Sequence, residues 1–275
     1  MKNNLFKVLV SIVALALILS ACATPATEAP KPTETPKPVA VPTDVPKPTV
    51  APTADPLGSA DKPIVMTFVP SGDTAKIAKA GQDIATYLNK VNGLNYKVEV
   101  GTSEAASIEA MGGNKAHVGF LNTFAIVLAK NKYNIEVALV NQRKYIAIAI
   151  DPDKDLDGKI TPYYKGEFLT QAGSGIKTYA DLKGKTFCFT SATSTSGNII
   201  PRIILKANGI DPDKDMKSTF AGGHDKAAIA VYNGDCAAGV TFVDTLTDVS
   251  LKLYEKYPDI SKKVTAFAVT DRIPN

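Results

Sequence analysis

The sequence predicts an α/β protein of two lobes, each a mostly parallel sheet flanked by helices, and three observations predict it. From Asp61 onward, short β-branched and aromatic runs alternate with segments of helical periodicity. Such alternation implies parallel strands joined by crossover helices and covered on both faces. The scheme runs once through residues 64–140 and again from Thr186, with residues 145–171 joining the two halves. A chain of 275 residues can bury one large core or two modest ones. Its net charge is +4, with Lys and Asp/Glu well mixed, so it carries no basic stripe of the kind nucleic acid requires.

Residues 1–21 stand outside this pattern. Lys2 and Lys7 precede the apolar run LVSIVALALIL, which is shorter than a membrane span and leads to Leu19-Ser20-Ala21-Cys22. This resembles the lipobox of bacterial lipoproteins. The resemblance implies a signal peptide cleaved before Cys22, diacylation of that thiol, and a chain tethered to the cell membrane and facing outside the cytoplasm. Residues 22–58 then form the lipidated cysteine and a Pro/Thr-rich linker. Such a segment favours extended polyproline II and acts as a semi-rigid spacer of up to roughly 100 Å, at about 3 Å per residue.

In the first lobe, residues 59–162, a buried strand is expected at 64–69, an amphipathic helix at 74–91, a strand at 96–100 and a short helix at 105–111. A strand at 117–121 follows, Asn122 caps a helix at 123–130, and 135–140 closes a four-strand set. The second lobe, residues 163–275 with the hinge strands, repeats the scheme. Strands are expected at 186–190, 218–221, 237–242 and 264–270, and helices at 197–207, 224–233 and 245–257. Ligands of open α/β sheets bind beyond the carboxyl ends of the strands, so two facing lobes define a cleft.

Within the second lobe, FTSATSTSGNIIPRIILKANG (189–209) leaves an apolar strand and enters an apolar-periodic helix through a run of hydroxyls. One hydroxyl suffices to cap a helix. Several hydroxyls, unpaired first-turn amides and a positive dipole end suit an oxyanion. Gly197 lets the backbone approach closely, and Pro201 sits early enough in the helix that its missing N–H matters little. The next strand-to-helix turn, Phe220-Ala221-Gly222-Gly223-His224-Asp225, places a histidine at the same cleft edge.

These residues resemble a known family. STSGNIIPRIILKANGIDP, FAGGHDKAAIAVYNGDCAAGVTF and VTDRIPN, with IEAMGGNKAHVGFLN and SGIKTYADLKGKTF, look like the phosphate, phosphite and phosphonate substrate-binding proteins of ABC importers, a branch of the type II periplasmic-binding fold. The resemblance implies that Ser194, Thr195, Ser196 and His224 grip the phosphorus oxyanion, and that a hinge tyrosine in TPYYKGEF contacts the ligand, Tyr164 before Tyr163. Ser71 and Asn122 complete the expected ligand set. Glu104 stands where the phosphonate branch carries a tyrosine, and a carboxylate there would repel a dianion unless the ligand carries a proton or its own cation. The implied partners are an organophosphonate or phosphorus oxyanion, a permease with its ATPase, and the membrane through the lipid anchor. A monomer is expected, with no cofactor. The resemblance also implies a chain that returns from Asn275 to complete the first lobe.

Three further features of the sequence bear on its chemistry. Asp153, Asp155 and Asp157, with Gly158 at the sixth position and Ile160 at the eighth, fit the start of a calcium loop, but Tyr164 replaces the twelfth-position Glu, so an acidic solvated hairpin tip is preferred. Ser196, His224 and Asp225 could be read as a nucleophile, base and acid, but adjacent helical side chains diverge, so no catalytic residue is assigned. Cys188 and Cys236 are expected to be free thiols, since a cysteine inside a parallel strand is usually a small apolar filler.

Overall fold

The computed structural model describes residues 55–275; Cys22, the leader and the linker up to residue 54 lie outside the described residues. Strands β1 (Ile64–Phe68), β2 (Tyr96–Val100) and β3 (Val118–Phe120) form a parallel sheet in the order β2-β1-β3. Helix α1 (Thr74–Asn92) links the first two, started by the Asp73 carboxylate accepting the Lys76 amide. Its Ala85 packs on Met66 and Phe68. Helix α2 (Glu104–Gly112) and helix α3 (Thr123–Tyr133) pack together through Ile108, Ala125 and Ala129. Asn122 caps α3 as its sequence position predicts, its side chain accepting the Ala125 amide.

The strand expected at 135–140 does not form. Those residues join no ladder, and Val137, Leu139 and Val140 are exposed. Alternation supplies two faces of side chains, but a strand also needs a neighbour's N–H and C=O groups, and β3 bonds only to β1. The joining region contains short pairs instead. β4 (Arg143–Lys144) meets β5 (Ile160–Thr161), and β6 (Tyr163–Tyr164) meets the last strand of the chain, β12 (Ile273–Pro274).

The second sheet has five strands. Sequence reasoning missed β7 (Gly166–Gln171), treating it as connector; it runs antiparallel to both its neighbours, β10 (Ala238–Phe242) and β11 (Val264–Val269). β8 (Thr186–Phe189) and β9 (Lys217–Phe220) continue the sheet in parallel, giving the order β11-β7-β10-β8-β9. Strand parity sorts the core. Phe168, Phe187, Phe189 and Val240 bury on one face with Leu205, whereas Leu169 and Cys188 bury on the other against Val231, Ile260 and Val264.

That second face overturns the free-thiol expectation: Cys188 and Cys236 form a disulfide, with Cα atoms 5.9 Å apart. β8 and β10 are parallel neighbours with Cys188 opposite Gly239, and the chain entering β10 carries Cys236 over the same face. A filler role assumes that no second sulfur arrives within bonding range, and only the sheet order brings one.

The helix expected at 245–257 is also largely absent, reduced to α6 (Leu253–Lys256) and followed by α7 (Ile260–Lys263). Local side chains compete with the helical backbone there. Thr245 donates its hydroxyl to the Phe242 carbonyl, the Asp248 carboxylate accepts the Ser250 and Leu251 amides, and Lys252 takes a left-handed φ of 53°.

Candidate functional site

The hydroxyl-rich loop builds a π-helical turn, Thr195–Ile199, ahead of α4 (Ile200–Ala207). Two residues shape it. Pro201 has no N–H, so the Gly197 carbonyl four residues earlier is left free, and it accepts the Thr190 amide at 3.0 Å. A Cβ on Gly197 would lie 1.9 Å from the Thr190 hydroxyl oxygen, so only glycine lets the turn fold back on the strand end. Asn198 ties the loop down by donating to the Ala192 carbonyl at 2.7 Å, and Arg202 holds Asn198 in turn.

Each hydroxyl of Ser194-Thr195-Ser196 has its own direction, and all three residues are buried. Ser194 Oγ accepts the Gly197 amide and lies 3.3 Å from His224 Nε2. Thr195 Oγ1 crosses to the first lobe, accepting the Phe124 amide at 2.8 Å and donating to Asn122 Oδ1 at 2.9 Å, so a second-lobe hydroxyl sits at the N-terminus of α3. Ser196 meets the Tyr164 hydroxyl. The first amides of such a turn lack acceptors inside it.

His224 opens α5 (His224–Asn233), where Gly223 supplies no side-chain cap. The Phe242 amide of β10 donates to His224 Nδ1 at 3.0 Å. A nitrogen that accepts carries no proton, so the neutral ring is fixed with its proton on Nε2, and Nε2–H donates towards Ser194. Burial lowers the His224 pKa to about 3, so the ring is an uncharged donor throughout the neutral range. Its backbone amide donates to the Ser71 carbonyl of the first lobe. Ser71 therefore contributes a main-chain contact between lobes, and its own side chain is exposed.

Tyr164 and Tyr163 alternate on β6 and diverge. Tyr164 reaches Ser196, and burial raises its pKa. Tyr163 packs against Tyr145 and beneath Arg272. Beside Tyr164 lies a cavity of about 10 Å³, bounded also by Arg143, Lys165 and Asp244, with room for about one water. Sequence reasoning missed Arg143 altogether. It donates to Asp244 at 3.1 Å and lies over the Phe242 ring. NQRKY carries no local signal for this, because Asp244 is 101 residues away.

Glu104 is buried in the lobe interface. Its Oε1 accepts Ser191 Oγ at 2.7 Å and its Oε2 accepts Thr193 Oγ1 at 3.1 Å. The carboxylate thus joins the first turn of α2 to the loop ahead of Ser194.

The three candidate calcium carboxylates do not converge. Asp153 binds Arg272 and the buried Lys165, Asp157 accepts the Ala147 amide, and Asp155 is exposed near Lys159. The tip between β4 and β5 is solvated at Asp155 and Asp157, as expected, whereas Asp153 turns inward to Lys165, which is 3% exposed and has Asp151 as well to neutralise its charge. Among the described residues, no three His, Cys, Asp or Glu side chains are arranged to hold a metal ion. His224 Nδ1 is occupied by the Phe242 amide, so Asp225 does not orient the ring.

Residues 66–275 match the family described as "ABC transporter, phosphonate, periplasmic substrate-binding protein". The chain belongs to this family. Among relatives of this phosphonate-binding family, it is similar to the phosphate-import protein PhnD of Mycolicibacterium smegmatis, with 29% identity over 196 residues that cover 68% of this chain and 57% of that protein. The chain thus spans little more than half the length of that curated relative. It is also similar to the solved structure of PhnD1 from Prochlorococcus marinus in complex with methylphosphonate, at TM-score 0.61 and 18% identity, covering 77% of this chain and 73% of that one. A binding protein component of an ABC phosphonate transporter from Pseudomonas aeruginosa matches at TM-score 0.62 and 18% identity, over 77% of this chain and 66% of that one. These likenesses, with the two sheets described above, give the two-lobed type II periplasmic-binding-protein fold.

Proposed function

We propose that the protein is the extracytoplasmic binding component of an ABC importer and holds a phosphonate, phosphite or phosphate ion between its lobes. The observation that carries this reading is the His224 imidazole, fixed as a neutral Nε2–H donor beside Ser194 where two helix N-termini meet. Neutral donors and unpaired amides bind an oxyanion without the salt bridge that would hold any anion indiscriminately. Ser194, Ser196, Tyr164 and His224 supply the donors, and Thr195 and Asn122 bring the first lobe onto them. The lobes are residues 59–162 and 163–275, the latter with the hinge strands. The chain works as a monomer, carries out no reaction, and is tethered through a lipidated Cys22 after loss of residues 1–21, with 22–58 as the spacer. Its partners are a permease and an ATPase. These assignments rest on the family and on the sequence of the leader.

Calorimetric titration with methylphosphonate, 2-aminoethylphosphonate, phosphite, phosphate, sulfate and nitrate tests the proposal. Binding of one of the four phosphorus compounds is expected, weakened by roughly 1–3 kcal/mol in Ser196→Ala through loss of a hydrogen bond to a charged group. Binding of sulfate or nitrate alone would replace the phosphorus reading by one for another oxyanion.

A further inference from the structure

We propose that the Glu104 carboxylate is an inter-lobe latch, a first-lobe anion that grips the second lobe's Ser191 and Thr193 hydroxyls and so sets how much of the protein is closed before ligand arrives. Glu104 is 5% exposed, and among the described residues no Lys, Arg or His forms an ion pair with it. Its charge is held by two hydroxyl donors, one on each oxygen, at 2.7 and 3.1 Å. Both belong to the loop pinned by Asn198 to the Ala192 carbonyl, so the carboxylate pulls on a rigid handle and not on a free strand. Hydrogen bonds to an ionised acceptor are stronger than neutral ones, and both are lost when the lobes part.

The other contacts across the lobes near the ligand donors are different in kind. Thr195 with Asn122 and Phe124, and His224 with Ser71, pair neutral groups, Lys76 donates to the Leu251 carbonyl, and Arg143 with Asp244 beside Tyr164 is an ion pair. Glu104 is the carboxylate of that set held by neutral hydroxyls, and it occupies Ser191 and Thr193, leaving Ser194, Ser196 and His224 to the ligand. The latch and the oxyanion site are therefore adjacent parts of one loop with separate hydroxyls. A ligand that binds only the closed form has an apparent Kd equal to its intrinsic Kd divided by the closed fraction. Loosening the latch weakens binding without removing a ligand contact.

The test measures closure and affinity separately. Spin labels at the exposed positions Lys90→Cys and Lys206→Cys report the distance between lobes without added ligand. Glu104→Ala is expected to lower the closed-to-open ratio about tenfold, as for loss of about 1.4 kcal/mol. The double substitution Ser191→Ala/Thr193→Val should produce the same shift from the opposite lobe, and combining it with Glu104→Ala should add nothing further. An unchanged ratio in both variants, or additive effects in the combination, would overturn the latch. Because closure is read without ligand, it is independent of the phosphonate reading. Only the accompanying rise in Kd for methylphosphonate rests on that reading, and tighter binding by Glu104→Ala would instead make Glu104 a repulsive element of the ligand site and overturn the proposal.

Discussion

Replacing His224 by Gln should flatten the acid limb of the stability profile, because the folded protein keeps this ring neutral while the unfolded chain does not. The folded pKa is lowered to about 3 from an ordinary 6.5, and the cause is burial. A depressed pKa contributes stability that is present above 6.5 and lost as pH falls from there towards 3. Between pH 7 and pH 5 the unfolded imidazole goes from about one-quarter to nearly fully protonated, while the folded ring takes up almost no proton. Linkage makes the folded state lose about 2 kcal/mol over that interval on account of this one group. For a protein of this size that corresponds to a fall in Tm of roughly 4–8 °C. Gln retains an N–H donor but cannot titrate, so the His224→Gln variant should lose about 2 kcal/mol less than the parent between pH 7 and pH 5. Calorimetric scans of both proteins at half-unit pH steps measure the difference, and His117 is common to both. Parallel profiles would refute the reasoning, as would a ring nitrogen spectrum showing the imidazolium, or a proton on Nδ1, in the folded protein at pH 5.

Three other outcomes follow from named contacts. Cys188→Ser/Cys236→Ser opens a 48-residue loop and should lower stability by about 4 kcal/mol, seen as a fall in Tm of roughly 8–16 °C; a change of a degree or two would mean that the bridge is not formed in solution. Burial beside Asp244 raises the Glu167 pKa to about 8, so its stabilising contribution is complete below 4.5 and is lost as pH rises towards 8. Glu167→Gln escapes that loss and should gain roughly 2–4 kcal/mol over the parent between pH 5 and pH 8, measured by urea denaturation at the two pH values. Gly197→Ala drives a methyl into Thr190 and should destabilise by roughly 1–3 kcal/mol, with partial recovery in Thr190→Ala; a neutral Gly197→Ala would show that the turn does not depend on that approach.

Much of the first lobe and the candidate site was legible in the chain because the signals are local. Asn122 before an apolar-periodic run is a cap wherever that run becomes a helix, and the helix from His224 to Asn233 begins and ends at its own glycines. The hydroxyl run and the GGH turn mark donors at strand ends by composition alone. Boundaries failed where side chains compete with the backbone, as from Thr245 to Lys252, and where pairing needs a neighbour, as at 135–140. The strand Gly166–Gln171 was passed over because it interrupts a strand-helix rhythm with an antiparallel partner.

The sequence alone determined the alternation of strands and helices over most of both lobes, and the hydroxyl run and histidine proposed to hold an anion, since each depends on periodicity or on residues a few positions apart. Tertiary structure decided what distant residues do to one another. It joined Cys188 to Cys236, gave Asp153 to Lys165 and Arg272 and Asp157 to the Ala147 amide while leaving Asp155 exposed, and fixed the proton of His224 on Nε2 through the Phe242 amide. It also set the Glu104 carboxylate against Ser191 and Thr193, 87 and 89 residues further along the chain. The physical reason is one of range. Helical period and capping act within a few residues, whereas a charge, a thiol or an imidazole takes its chemistry from whatever the sheet order places within about 3 Å of it.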